Sequence, residues 1–375
     1  MDYFKAGLEL IKKINSLGYD AYIVGGAVRD YLLKREVNDI DIATNLSLDK
    51  IEKYFDVLDT GSKYLSVTIK YNGYKFETTN FRRDLKYYNN RFPDVEIIPD
   101  FKEDTNRRDF TINAMAIDKN EKLIDYHGGL NDLNNHLIKM IGNPNVRFEE
   151  DALRILRALY FSSKLDFKIE DKTLVAIISH KQLLSNLSNE RIFEYVLKLI
   201  KCENKKGIEY INKFDLFEDV DDYKKVLDFS KSNYSSSDIA IIYYLKYHKY
   251  FPITKASDKR IINNLIDMFD NNFSNYSIYK NQKIIEMCVN VFDYFKIDYE
   301  DIINRKNNLV IKKDDELKLS KGDISMMFPP KDRSIIIKDV IEKILDKKLI
   351  NDKEKIKKYL EVEYEEKIWS IYWLI

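Results

Sequence analysis

The sequence predicts an α+β protein: a mixed sheet of about five strands with flanking helices in the N-terminal third, then helices to the end. Three observations carry this. Residues 22 to 44 read as a strand, a Gly-Gly turn, a short helix and a second strand. Residues 63 to 80 read as a hairpin around Asn72-Gly73, a two-residue turn signal that makes at least one strand pair antiparallel and the sheet mixed. From about residue 131, apolar residues recur at helical rather than strand spacing.

In chain order, residues 4 to 17 place Leu8, Ile11, Ile14 and Leu17 on one helical face, and Gly18 ends the run. Tyr22, Ile23 and Val24 form an apolar strand leading into Gly25-Gly26, and a helix follows through Leu33. Asp39 and Asp41 are read on a second short strand. Side chains two apart on a strand share a face, so both carboxylates point one way while Ile40 and Ile42 pack the other way. Ser47 caps a helix through Phe55. Residues 82 to 100, polar, rich in Arg and Tyr and carrying two prolines, are expected to form a long loop beside the site.

Two carboxylates side by side repel, and a hard divalent cation such as Mg²⁺, which prefers oxygen ligands, relieves them. A Gly-Gly turn at a helix start lets backbone amides approach an anion. Either half alone reads equally as a tight turn or an acidic strand. Joined in one unit with Arg29, they indicate nucleotide chemistry.

Further along, Asp109 is positioned to cap a helix presenting Thr111 and Asn113, and the Arg107-Arg108 doublet before it reads best, on this stretch alone, as a solvated basic pair. Asp151, Arg154 and Arg157 lie three apart on one helix face, with Leu153, Leu156 and Leu159 on another. The charged face fits a surface salt-bridge ladder. It fits equally a template for a nucleobase edge, since Arg supplies a fork of donors and Asp supplies acceptors. Ser188, Asn189, Glu190, Arg191 and Glu194 mark a capped, charge-laced supporting helix. Phe328-Pro329-Pro330 marks a break in the helical remainder.

Composition sets bounds. A chain of 375 residues with 45% hydrophobic residues is expected to form two to four domains. Lys+Arg and Asp+Glu both number 62, so the overall charge gives no sign of a polyanion partner, although a basic cleft can sit within a neutral total. Cys202 and Cys288 are far apart and the four histidines are scattered, which excludes a disulfide framework and argues against a zinc site. No apolar run is long enough to span a bilayer and the N-terminus lacks a signal-like apolar stretch, so a soluble cytoplasmic protein is expected.

GGAVRD with DID (25 to 41), RRDFTINAMA (107 to 116), DYHGGLNDL (125 to 133) and EDALRILRA (150 to 158) occur in the order found in bacterial tRNA nucleotidyltransferases. The chain resembles the class II CCA-adding enzymes, whose head is shared with bacterial poly(A) polymerases, over roughly residues 20 to 195. The resemblance implies a nucleotidyltransferase head (1–138), a neck that recognises the base (139–200), a helical body (201–270) and a tRNA-binding tail (271–375), in a seahorse shape. It implies that Asp39 and Asp41 bind Mg²⁺ for two-metal phosphoryl transfer, and that Gly25, Gly26, Arg29 and Arg108 hold the triphosphate. Asp151 and Arg154 then read the base of CTP and ATP, and Arg157 supports the nucleotide. Glu77 is a weaker candidate for an extra carboxylate. The implied partners are tRNA, at its acceptor end and elbow, with CTP and ATP as substrates; the oligomeric state stays open.

Two departures bear on function. Tyr160 stands where the family often has arginine, and Asn89 where an acidic residue is expected in the flexible loop. Partial-specificity enzymes adding only A or only CC, a poly(A) polymerase, and an RNA-binding protein with a relic head are the alternatives. The EDALR form and the near-neutral C-terminal stretch, 17 Lys+Arg against 15 Asp+Glu over residues 301 to 375, favour CCA addition over poly(A) synthesis.

Overall fold

A computed structural model describes residues 3–61, 66–88, 92–229 and 233–368. The chain divides into two compact units, Met1–Asn233 and Tyr234–Ile375.

In the first unit, α1 (Tyr3–Ser16) precedes β1 (Ala21–Val24), α2 (Gly26–Leu32), β2 (Asp41–Thr44), α3 (Leu48–Tyr54), β3 (Asp56–Gly61), β4 (Ser66–Tyr71) and β5 (Tyr74–Asn80). After β6 (Arg82–Tyr88), β7 (Phe92–Ile97) and α4 (Phe101–Asn106), a 3₁₀ turn at Thr111–Asn113 leads to β8 (Ala116–Ile117), β9 (Leu123–Ile124), α5 (Gly129–Asn134) and β10 (Leu137–Ile138). Helices α6 (Pro144–Glu150) and α7 (Leu153–Leu165) then precede β11 (Lys168–Ile169), α8 (Asp171–Ser179), α9 (Asn189–Lys201), α10 (Lys206–Phe214) and α11 (Asp221–Leu227).

The main sheet has seven strands in the order β3-β4-β5-β2-β1-β8-β9, two more than expected. Three strands have no counterpart among those read from the sequence: β3, and β8 and β9, which at two residues each are too short for a periodic signal. The sheet is mixed as predicted: β2 runs parallel to β5, with Asp41 opposite Glu77, and the Asn72-Gly73 hairpin is antiparallel. On one face, Ile23, Ile40 and Ile42 are fully buried, and Gly7 of α1 comes close enough that a Cβ there would lie 3.2 Å from Ile23. On the other, Val24, Ala43, Phe81, Ile98, Phe101 and Ala116 form a core against which Tyr22 packs, its ring stacked 4.4 Å from Phe101.

Residues 82 to 100 are not a long loop. Strands β6 and β7 pair antiparallel, with a register shift between Asp84 and Tyr87. Its described apolar residues, Leu85, Val95 and Ile97, are exposed, while polar Arg82 and Asp84 are half-buried against the cleft, so no apolar inward alternation marked the ribbon in the sequence. Asn89, Arg91 and the opening of the predicted hairpin at 63 to 65 lie outside the described residues. The stretch beyond residue 131 is helical except for β10 and β11, which pair in parallel.

The second unit is helical, with its longest helices at Ala256–Asp270 and Pro330–Leu345. Pro330 opens the latter where the Phe-Pro-Pro break was expected. Among the described residues, no helix is long and apolar enough to cross a membrane.

Candidate active site

All nine residues singled out from the sequence line one open cleft of about 890 Å³ in the first unit: Gly25, Gly26, Arg29, Asp39, Asp41, Arg108, Asp151, Arg154 and Arg157.

The end of β1 delivers the Gly-Gly turn. Gly25 sits at φ 73°, where a side chain is strained, and a Cβ there would lie 3.6 Å from Asp41 Oδ2 and 3.8 Å from Arg108 Nη1. Three motifs separated in the chain thus meet at one backbone position. Asp41 opens β2, but Asp39 precedes the strand rather than lying on it, because regular pairing with β1 begins only at Val24–Asp41. Both carboxylates still face the cleft, Asp39 exposed and Asp41 half-buried. Burial, then the charges of Asp39 and Glu77, push the Asp41 carboxyl up to about 6, with Arg108 opposing. Glu77 is exposed beside Asp41 in the parallel register and does not line the cleft. Among the described residues, no group of three or more His, Cys, Asp or Glu is arranged to hold a metal ion.

Arg107 and Arg108 are not a solvated doublet. Both are held by Asp104, which is fully buried on α4: Arg107 Nε donates to Oδ1 at 2.8 Å and Arg108 Nη2 to Oδ2 at 2.9 Å. Burial works to raise the Asp104 carboxyl, but the two guanidiniums outweigh it and hold it below the usual carboxylate range. The i−3 and i−4 spacing of Asp104 from the two arginines was legible in the sequence and was missed.

Arg29 is buried. Its Nε and Nη2 donate to the two oxygens of Asp30, each at 2.9 Å, and Nη1 donates to Asn113 Oδ1 at 2.6 Å. Three of its five N–H groups are engaged in these bonds.

Asp109 caps no helix, since Thr111–Asn113 forms only a 3₁₀ turn with Phe110 at its start. Its carboxylate accepts from the Phe110 and Asn113 N–H groups, and Oδ2 receives Arg157 Nε at 2.6 Å. Phe161 lies beneath two guanidiniums, with the Arg29 and Arg157 centres 5.1 and 5.3 Å from its ring centroid.

Asp151, Arg154 and Arg157 do not share one continuous helix. Asp151 adopts an extended conformation between α6 and α7, and its Oδ1 accepts from Leu153 N at 3.0 Å. Arg154 is 5% exposed, which removes it from any surface salt-bridge ladder. Its Nη1 donates to Arg147 O and to Glu150 Oε2, and the same Glu150 oxygen receives Arg147. Arg147 Nη2 in turn donates to the carbonyls of Arg107 and Arg108. Glu150 and Arg147, unremarked in the sequence, therefore tie the arginine on α7 to the wall that carries Arg108.

Tyr160 also lines the cleft, its ring flanked by Lys164 at 6.0 Å and Lys198 at 5.7 Å.

Comparison with known proteins identifies the family. Residues 21–139 match the Poly A polymerase head domain, and residues 166–220 match the probable RNA and SrmB-binding site of polymerase A. A CCA-adding enzyme of Enterococcus faecalis is 43% identical over 206 residues, 54% of this chain and 51% of that protein; at this level of identity the match spans about half of the relative. A CCA-adding enzyme of Ligilactobacillus salivarius is 33% identical over 94% of this chain and 95% of its own. The solved structure of the Bacillus stearothermophilus CCA-adding enzyme in complex with CTP superposes with a TM-score of 0.77 at 25% identity, covering 97% of this chain and 98% of that one. A relative matched over nearly its whole length, together with a head whose motifs converge on one cleft, establishes that the chain belongs to the CCA-adding enzyme family.

Proposed function

We propose that this chain adds C, C and A to the 3′ end of tRNA from CTP and ATP, releasing pyrophosphate, with the protein serving as template. The observation that carries this reading is the convergence of the Asp39–Asp41 pair, the Gly25-Gly26 turn with Arg108, and the Asp151–Arg154 pair on one cleft.

The carboxylate pair fits a hard divalent cation, Mg²⁺ in our reading. Asp41 is held near 6 by burial and by neighbouring carboxylates, a deficit of positive charge that a cation on Asp39 and Asp41 would relieve. When bound, such ions lower the pKa of the RNA 3′-hydroxyl and neutralise charge on the departing pyrophosphate. The Gly25-Gly26 amides and Arg108 bind the triphosphate beside that pair. Arg29, anchored by Asp30 and Asn113, offers its remaining N–H groups to the same anion.

Asp151 supplies acceptors and Arg154 supplies donors. Cytosine and adenine both present an exocyclic amino donor beside a ring-nitrogen acceptor, the complement of this pair. Uracil and guanine present a carbonyl beside a ring N–H and leave both protein groups mispaired. One template therefore accepts C and A. Arg157, clamped by Asp109, supports the nucleotide from the next turn of α7.

In this division of labour, residues 1–138 carry the chemistry, 139–200 read the base, and 201–270 and 271–375 grip the tRNA. The reaction belongs in the cytoplasm, which suits a chain with two unbridged cysteines.

The test is Asp39→Ala. Nucleotide addition should vanish while tRNA affinity changes little, and retained turnover would refute the metal assignment.

A further inference from the structure

Beyond the active cleft lies a second cavity of about 800 Å³, bounded by α7, α9 and the turn after α9. Arg35, Tyr160, Lys164 and Lys198 line both, so whatever occupies one can continue into the other. Lys201 lines the second cavity alone.

The charge in this cavity is unbalanced. Asp166, one of its two carboxylates, pairs with Lys206 at 2.5 Å and accepts from Asn204. Lys198 is tied to Glu194 at 2.7 Å. Among the described residues, Arg35, Lys164 and Lys201 have no carboxylate at ion-pair distance. Burial and the charge of Arg29 lower the Lys164 ammonium from its ordinary value, opposed by Asp30 and helped by Arg35.

At the mouth between the two cavities stands the Tyr160 ring. It is braced edge-on by Tyr195 at 6.0 Å and tilted against Phe161 at 5.3 Å. Burial keeps its phenol protonated, so it presents a neutral aromatic plate. A triphosphate needs cations but no plate, and the turn at Gly25 and Arg108 already offers it a seat. An aromatic face combined with a row of cations matches single-stranded nucleic acid, whose bases stack while its phosphates are tracked.

We propose that the cavity beside Tyr160 seats the acceptor strand just upstream of the reacting 3′ end, with Tyr160 stacking a base and Lys164 and Lys201 contacting phosphodiesters. This subsite rests on the proposed RNA-extending activity.

The test uses the full chain, a tRNA transcript ending in CC, and the double variant Lys164→Gln/Lys201→Gln. Lys201 is exposed, and Lys164, though its ammonium is partly desolvated in the cavity, also reaches solvent, so glutamine is accommodated at both. RNA Kd should rise about tenfold, and the slope of log Kd against log salt should flatten by about 1.4 for two single-strand phosphate contacts. The KM for CTP, measured on a discriminator-ended transcript at saturating RNA, should stay within about twofold. Tyr160→Leu should weaken RNA binding about fivefold or more while leaving the salt slope intact. Unchanged RNA affinity and slope in the double variant would overturn the subsite. So would a raised KM for CTP with RNA affinity intact, which would assign these lysines to the triphosphate. If the wild-type chain binds RNA through this cavity yet adds no nucleotide, the subsite stands and the proposed activity falls.

Discussion

Asp109 and Arg157 are joined across 48 residues: Nε and Nη2 of the arginine each lie 2.6 Å from the same carboxylate oxygen. The contact fixes α7 against the segment that follows Arg108. Burial works to raise the Asp109 carboxyl, but Arg157 and two further donors, the Phe110 N–H and the Asn113 side-chain amide, outweigh it and hold it low. Asp109→Ala should destabilise the first unit by about 2 kcal/mol, below the roughly 3–5 kcal/mol of a fully buried pair because Arg157 retains some solvent. It should also raise the KM for both nucleotides. Denaturant unfolding and steady-state kinetics check the two effects.

The Asp41 carboxyl gives a pH dependence with a definite sign. Between the ordinary Asp value and about 6, the folded metal-free protein holds a proton that the unfolded chain has lost. Metal-free stability should therefore decline as pH rises through that window. A cation competes with the same proton, so Mg²⁺ should raise Tm at about pH 8 and do little at about pH 5. Thermal scans with and without Mg²⁺ test this, and Asp41→Asn should abolish the Mg²⁺ effect at both pH values.

Gly25→Ala puts a Cβ into a left-handed backbone position and between Asp41 and Arg108. Backbone strain of about 2–3 kcal/mol at φ 73°, ψ −135° is tolerable for folding. Misplacement of the proposed phosphate seat is not, and kcat/KM should fall roughly 100-fold with circular dichroism unchanged.

Glu150 holds Arg147 and Arg154 through one oxygen. Glu150→Gln keeps the shape and removes the charge. Discrimination of CTP and ATP against UTP and GTP should drop about tenfold or more, read from kcat/KM for each nucleotide. Unchanged selectivity would mean that Arg154 is held by backbone contacts alone.

Helix α10 crosses α7 at Gly207, where an added Cβ would lie 2.2 Å from the Leu159 carbonyl oxygen. Gly207→Ala should cost about 3 kcal/mol or more, because backbone has to move. The midpoint of denaturant unfolding measures it.

Much of the site was legible because its residues are local in pattern. The Gly-Gly turn, the Asp39–Asp41 pair and the arginines of α7 each sit inside a short periodic segment, and the sheet carries the first two to one place. What escaped was long-range or lacked a buried face. Asp104 and Glu150 look like ordinary helix acids until burial and the arginines beyond them are known. The described apolar residues of the β6–β7 ribbon are exposed, so nothing in its apolar pattern distinguished it from a loop. Asp151 looked helical by spacing, and only the extended backbone between α6 and α7 turns it toward the cleft.

The most direct measurement is product length on a tRNA transcript ending at the discriminator base, incubated with the purified protein and Mg²⁺. CTP and ATP are supplied singly and together, and products are resolved at single-nucleotide resolution. The account predicts two additions with CTP alone and three with both nucleotides, then a stop. Arrest after two with both present, A addition only to a CC-ended substrate, or a long A ladder would contradict it.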